Sequence, residues 1–200
     1  MKTTAVVFDL GGVLVDVDSE KALRELRNHC TSPGYTPDLA GTQRLVRAFE
    51  CGELATRAFY DAVCRHERLS MDLARFREAY CDIFSPVEDM IAAHDALSRA
   101  RLATYIFSNT SELHFDRIRA QHAFMTGFTG YILSYELGCM KPDARAYAAV
   151  EEMAGCRGSE LVYIDDRPEN VAAGVERSWR SIHHTSPQAT VATLRKMDLL

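Results

Sequence analysis

Residues 4–12 read TAVVFDLGG: an apolar run, Ala5–Phe8, hands a carboxylate, Asp9, directly to two glycines, Gly11 and Gly12. An unbroken apolar run of this length suits a strand buried on both faces. The glycines supply a turn, and an acid delivered at a strand-to-turn junction is placed to serve a site. The rest of the chain repeats the theme. With Thr4–Phe8, short β-rich runs at Leu102–Phe107, Gly130–Leu133, Leu161–Ile164 and Arg180–His184 alternate with helical patterns at about Val87–Ala100, Leu113–His122, Ala144–Ala154, Glu169–Arg177 and Gln188–Met197. Such alternation predicts βαβ units and an α/β fold, with a parallel sheet covered on both faces. Ser85-Pro86-Val87-Glu88 reads as a capping box opening the first of these helices, with Pro86 at its first position.

Between Asp18 and Phe84 the strand signal disappears. Leu23 and Leu26, then Leu45, Val46 and Phe49, then Phe59 and Val63, then Leu73, Phe76 and Tyr80 recur at helical spacing, and 29–41 is a loop rich in Pro, Gly, Thr and Ser. We expect three or four helices inserted after the first strand as a small cap over residues 18–84, with residues 1–17 and 85–200 forming the α/β core. The aromatic residues of the insert belong to its own core.

Composition narrows the partners. The formal charge of −5 lacks the basic excess that nucleic acid or an anionic membrane surface calls for. No apolar stretch approaches a membrane span, and the N-terminus shows no signal-peptide pattern, so a cytoplasmic protein is expected. The six cysteines are scattered without a C-x-x-C pair, which fits neither zinc ligation nor a disulfide framework. The seven histidines include no pair at metal-ligand spacing with a supporting acid; His114 and His183-His184 fall near the rim but read as structural, as does Trp179 at the sheet edge.

Ligands of open α/β sheets bind beyond the carboxyl ends of the strands. There the first strand carries Asp9, the second Ser108-Asn109-Thr110, the third leads to Lys141-Pro142, and the fourth ends in Asp165-Asp166. Three carboxylates, a hydroxyl, an amide and an ammonium are thus expected on one rim. This set suits phosphoryl transfer. A carboxylate approaching a phosphate dianion meets like-charge repulsion, which a hard cation such as Mg²⁺ on carboxylate oxygens relieves. Lys141, Ser108 and the backbone around Asn109 would neutralise and hold phosphate oxygens, and attack by Asp9 would give an aspartyl-phosphate that water hydrolyses. Each piece also has a plain structural reading: Asp165-Asp166 or Ser108–Thr110 as helix caps, Lys141 as a surface lysine.

The four stretches VVFDLGGVLVD, YIFSNTSE, GCMKPD and VYIDDRPEN resemble, in order and spacing, the four motifs of the haloacid dehalogenase-like hydrolases. The resemblance covers essentially the whole chain, including the place of the helical cap. It implies a three-layer Rossmann-like parallel-sheet core, Asp9 as nucleophile, and Mg²⁺ held by Asp9, the carbonyl of Gly11 and Asp166, with Asp165 supporting. Within that family, FDLGGVLVDVD, SNTSELH, GCMKPDARAY and the cap stretch FECGELATRAF are most similar to bacterial alpha-D-glucose-1-phosphate phosphatases.

Gly11 departs from the family pattern, in which most phosphatases carry a second Asp there as general acid–base. Three readings follow. The chain is a phosphatase that tolerates the loss, because an anomeric leaving group is less basic, with Asp16, Asp18 or water assisting. It is a 2-haloacid dehalogenase, whose halide leaves without a proton and without metal. Or it is a non-catalytic relative that binds a phosphorylated ligand or a protein. The first is expected, acting on a small phosphorylated metabolite, with glucose 1-phosphate as the leading example. Glu50 and Glu53, flanking the Gly52 turn, read as a solvated helix end, with contact to the substrate as the alternative.

Overall fold

The computed structural model describes residues 3–32 and 34–200; Met1, Lys2 and Pro33, which the N-terminal and loop readings include, lie outside the described residues. All five expected core strands form: β1 (Ala5–Phe8), β4 (Ala103–Ser108), β5 (Gly130–Leu133), β6 (Leu161–Asp165) and β7 (Arg180–His183). They pair in parallel in the order β5-β4-β1-β6-β7. Alternate residues of each strand feed opposite apolar layers. Val6, Phe8, Ile106, Val162 and Ile164 face a cluster with Met90 and Leu97 of α5 (Glu88–Arg99), Phe115 and Ile118 of α6 (Glu112–Gln121) and Leu194 of α10 (Pro187–Lys196). Ala5, Val7, Phe107 and Tyr163 face Ala146, Tyr147 and Val150 of α8 (Ala144–Ala154). Apolar residues on both faces explain why these strands read as continuous runs, and the two clusters make the core three-layered.

Four helices occupy the insert: α1 (Ser19–Arg27), α2 (Leu39–Glu50), α3 (Thr56–His66) and α4 (Leu73–Cys81). Asp18, Asp38 and Asp72 cap α1, α2 and α4 by accepting from the N–H three residues on, at 2.9, 3.0 and 2.8 Å. The Asp38 cap starts α2 at Leu39, so the helix takes the last three residues of the stretch expected to be loop. Phe49, Phe59, Val63, Phe76 and Tyr80 close a separate core that also takes in Leu113 of α6.

Two strands were not expected. Val15–Val17 (β2) and Phe84–Pro86 (β3) pair antiparallel where the chain leaves for the insert and returns from it. Their formation overturns the capping box. Val87 donates to the carbonyl of Leu14 at 2.9 Å, which holds Ser85 and Pro86 in the ribbon, and α5 begins at Glu88 with no side-chain cap. A short α7 (Ser134–Leu137) follows β5, and α9 (Pro168–Glu176) follows β6 with Pro168 at its start, one residue before the expected start at Glu169. The insert rests on α6 and α7. Ser134 Oγ donates to the Glu50 carbonyl at 2.6 Å, Thr56 Oγ1 to Glu112 at 2.8 Å, and the His114 ring stacks on Tyr80.

Candidate active site

Strand order reverses at β1, which has β4 on one side and β6 on the other, so the crevice beyond its carboxyl end is the expected ligand position. A cleft of about 450 Å³ opens there, lined by Asp9, Gly11, Ser108, Asn109, Lys141 and Asp166, together with Asp16 and Arg167. Six of the seven residues predicted from sequence thus share one cavity. Asp165, the seventh, is fully buried behind its wall.

Lys141 is the hub. Its buried ammonium donates to Asp165 Oδ2 at 2.6 Å and to the Phe107 carbonyl at 2.8 Å, and it stands 2.9 Å from Asp9 Oδ1. It is not a surface lysine. Its backbone is pinned by Asn109: the Lys141 N–H donates to Asn109 Oδ1 at 2.7 Å, and Asn109 Nδ2 donates back to the Lys141 carbonyl at 3.0 Å. The Asn109 side chain is therefore engaged in positioning the lysine. The next helix is capped by Ser111, not by Ser108–Thr110, and the Ser108 hydroxyl makes no hydrogen bond to another described residue. Asp9 also accepts from the Leu10 N–H at 2.7 Å. Burial pushes its carboxyl up to about 7, with the Asp165 charge adding to the rise and Lys141 opposing it.

Adjacent acids have opposite surroundings. Asp165 accepts from Lys141, Tyr163 Oη, the Arg167 N–H at 2.9 Å and Asn170 Nδ2 at 3.0 Å. Burial works against its charge, but Lys141 and the other donors outweigh it and hold the carboxyl below its ordinary value. Asp166 is partly exposed at the cleft, and burial followed by the Asp165 charge raises its carboxyl. Gly12 is the close approach that seats Asp166: at φ +76°, a Cβ there would stand 2.5 Å from Asp166 Oδ2. Asp9, Asp165 and Asp166 each present an oxygen within 4.8 Å of the others'.

Residues 3–176 match the model of the haloacid dehalogenase-like hydrolase family, most of the chain's length. The chain belongs to that family. Two curated relatives of this hydrolase are phosphatases: the sesquiterpene phosphatase astK of Aspergillus oryzae, 26% identical over 96% of this chain and 95% of the relative, and phosphatase MT3486 of Mycobacterium tuberculosis, 28% identical over 83% and 80%. A haloacid dehalogenase family enzyme of Bacteroides thetaiotaomicron, solved with magnesium and inorganic phosphate, shares the fold at a TM-score of 0.75, with 20% identity over 90% of this chain and 93% of its own.

Apart from Asp16, the other residues weighed in the sequence of this haloacid dehalogenase-like hydrolase fall outside the cleft lining. Asp18 caps α1. His114 turns away from the cleft to the Tyr80 carbonyl at 3.1 Å, and burial pushes its imidazole down to about 4. His183 bonds the Asp166 carbonyl and His184 bonds Thr190 Oγ1. Glu53 is exposed, whereas Glu50 is tucked into the seam between insert and core. Cys139 is buried, and Trp179 is buried with its Nε1–H on Glu151. Arg167 in the cleft wall escaped the sequence reading, as did two residues around Asp165. Tyr163 shares a strand face with Asp165 two residues on, and Asn170 lies one helical turn beyond it, so the spacing i−2 and i+5 around the acid was the available signal. No described helix is long and apolar enough to cross a membrane.

Proposed function

We propose that the chain is a Mg²⁺-dependent phosphomonoester hydrolase that works through an aspartyl-phosphate on Asp9. The observation that carries this reading is the Asp9–Lys141–Asp165 arrangement, opening onto a cleft that also holds Asp166 and an unengaged Ser108 hydroxyl. A buried carboxylate otherwise pushed toward neutrality needs positive charge beside it to act as a nucleophile. Lys141 supplies part of it. The donor set also fits a hard cation: hard oxygen donors, more carboxylates than ammoniums, and one acid, Asp166, open to the cleft. Asp9, the Gly11 carbonyl and Asp166 would hold Mg²⁺, with Asp165 supporting by fixing Lys141 and the loop. Bound Mg²⁺ would supply the charge that offsets repulsion between Asp9 and the phosphate. Ser108, the Asn109 backbone and Lys141 hold the phosphate oxygens, and Asp9 attacks phosphorus. The helices of residues 18–84 act as the cap.

A small polar metabolite is the substrate class, a sugar phosphate first and glucose 1-phosphate its leading example. Of the residues lining the cleft, Val17 alone has an apolar side chain large enough to favour a hydrocarbon. Phosphate release from a panel of sugar phosphates and isoprenoid phosphates, with Mg²⁺ and with EDTA, tests the reading. Turnover should require Mg²⁺, favour the sugar phosphates and vanish in Asp9→Asn. No release from any phosphate, or halide release from a 2-haloacid in EDTA, would overturn it.

A further inference from the structure

Gly11 leaves the cleft without a proton donor at the position where most phosphatases of this family carry one. The groups lining the cleft that can carry a transferable proton are Asp9, Asp16, Ser108, Lys141 and Asp166. Asp9 is the nucleophile of the reading above and its partner Lys141 is locked by three acceptors. Ser108 serves the phosphate and Asp166 the cation. That leaves Asp16.

Three observations place Asp16 for the task. First, the glycine turn folds β2 back over the site: Gly11 forms a bridge with Val15, and the Gly12 N–H donates to the Val15 carbonyl at 2.8 Å. Asp16 is the next residue, and the chain so folded brings it into the wall of the same cleft as Asp9 and Gly11. Second, its side chain is exposed and makes no hydrogen bond or ion pair to another described residue, unlike Asp18, which caps α1. Third, it stands outside the group of three acids whose oxygens converge within 4.8 Å. It still lies close enough to act, with Asp166, on the electrostatics of His184 behind the rim. Asp16 is therefore a free carboxyl at the edge of the cation position rather than part of it.

We propose that Asp16 is the general acid–base of this enzyme, an inference that rests on the phosphatase reading. As Asp9 Oδ bonds to phosphorus, the bond from phosphorus to the leaving oxygen breaks and its electron pair stays on that oxygen. The oxygen takes the proton from Asp16 and departs as an alcohol. The Asp16 carboxylate then takes a proton from water as the water oxygen attacks phosphorus, which releases Asp9 and inorganic phosphate and restores the protonated Asp16. Such a group contributes about 10²–10⁴-fold where the leaving oxygen is basic, and little where it is not.

The test compares leaving groups. For Asp16→Asn, kcat/KM on a sugar phosphate should fall about 10²-fold or more, while kcat/KM on p-nitrophenyl phosphate, whose phenolate leaves without a proton, should change less than about threefold. The Mg²⁺ concentration needed for half-maximal rate should not move. Asp16→Asn with Gly11→Asp should recover activity on the sugar phosphate, since Gly11 is not left-handed and a Cβ there meets only Val17 Cγ2 at 3.3 Å. An equal loss on both substrates, a raised Mg²⁺ requirement or no loss at all would overturn the assignment. A wild type inert on both phosphates would instead overturn the phosphatase reading, and Asp16 with it.

Discussion

At the scale of single residues, Asp165 and Asp166 are one letter written twice with opposite physics. Asp165 ends β6 beneath the cleft and receives Lys141, Tyr163, Asn170 and the Arg167 N–H; Asp166, one residue on, faces the cleft in the field of its neighbour. Neutralising them should therefore have different consequences. Asp165→Asn turns an amide N–H₂ toward donors and leaves the buried ammonium with Asp9 as its one remaining carboxylate, so urea unfolding should show a loss of about 3–5 kcal/mol. Asp166→Asn removes a charge that burial and Asp165 already disfavour, and stability in EDTA should stay level or rise while activity falls. Equal destabilisation of the two variants would refute the division. The sequence carried the pair and its strand end, and the family resemblance implied Asp166 for the cation with Asp165 supporting, but the physical cause of the split was not legible. The difference is made by side chains at positions 163, 170 and 141, of which only Lys141 stood out as chemistry.

At the scale of elements, what was legible depended on how local the signal was. The five core strands are apolar on both faces and the helices between them are punctuated, so their boundaries could be read to within a residue or two. The β2–β3 ribbon could not, because Val15–Val17 finds its partner at Phe84–Pro86 across the whole insert. Ser85–Glu88 spelled a helix start that a long-range pairing overrode. The turn between α2 and α3 was legible as a Gly turn but not as a docking point. Gly52, at φ +70°, lies so close to α7 that a Cβ would stand 2.2 Å from the Tyr135 carbonyl, whereas Gly155, at φ +64°, has nothing within 4 Å. Gly155→Ala should cost about 1–2 kcal/mol for the left-handed backbone alone. Gly52→Ala should cost clearly more, with faster amide exchange in α2 and α3. Matching losses in urea for the two variants would show that the turn does not bear on α7.

At the scale of the whole molecule, the insert and the core meet over a charge that neither solvates well. Glu50 ends α2 with its carbonyl held by Ser134, and burial pushes its carboxyl up to about 7 from 4.5, against the lowering pull of Arg47 and Arg167. Arg167 lines the cleft, so the seam and the site share an electrostatic environment. The native state keeps the Glu50 proton at pH values where the unfolded chain has released it. Stability from this group is thus full below pH 4.5, falls as pH rises through 4.5 to 7, and is flat above. The interval corresponds to about 3 kcal/mol at 1.36 kcal/mol per unit. Glu50→Gln keeps the shape and removes the charge. Relative to the wild type it should gain nothing near pH 4.5, gain progressively to pH 7, and hold a plateau of roughly 2–3 kcal/mol at pH 8, read from urea midpoints in EDTA. Parallel pH profiles for the two proteins would mean that Glu50 is solvated at the seam. A rising difference would mean that packing the insert against the core desolvates this carboxylate, so that raising the pH weakens the folded state through this seam.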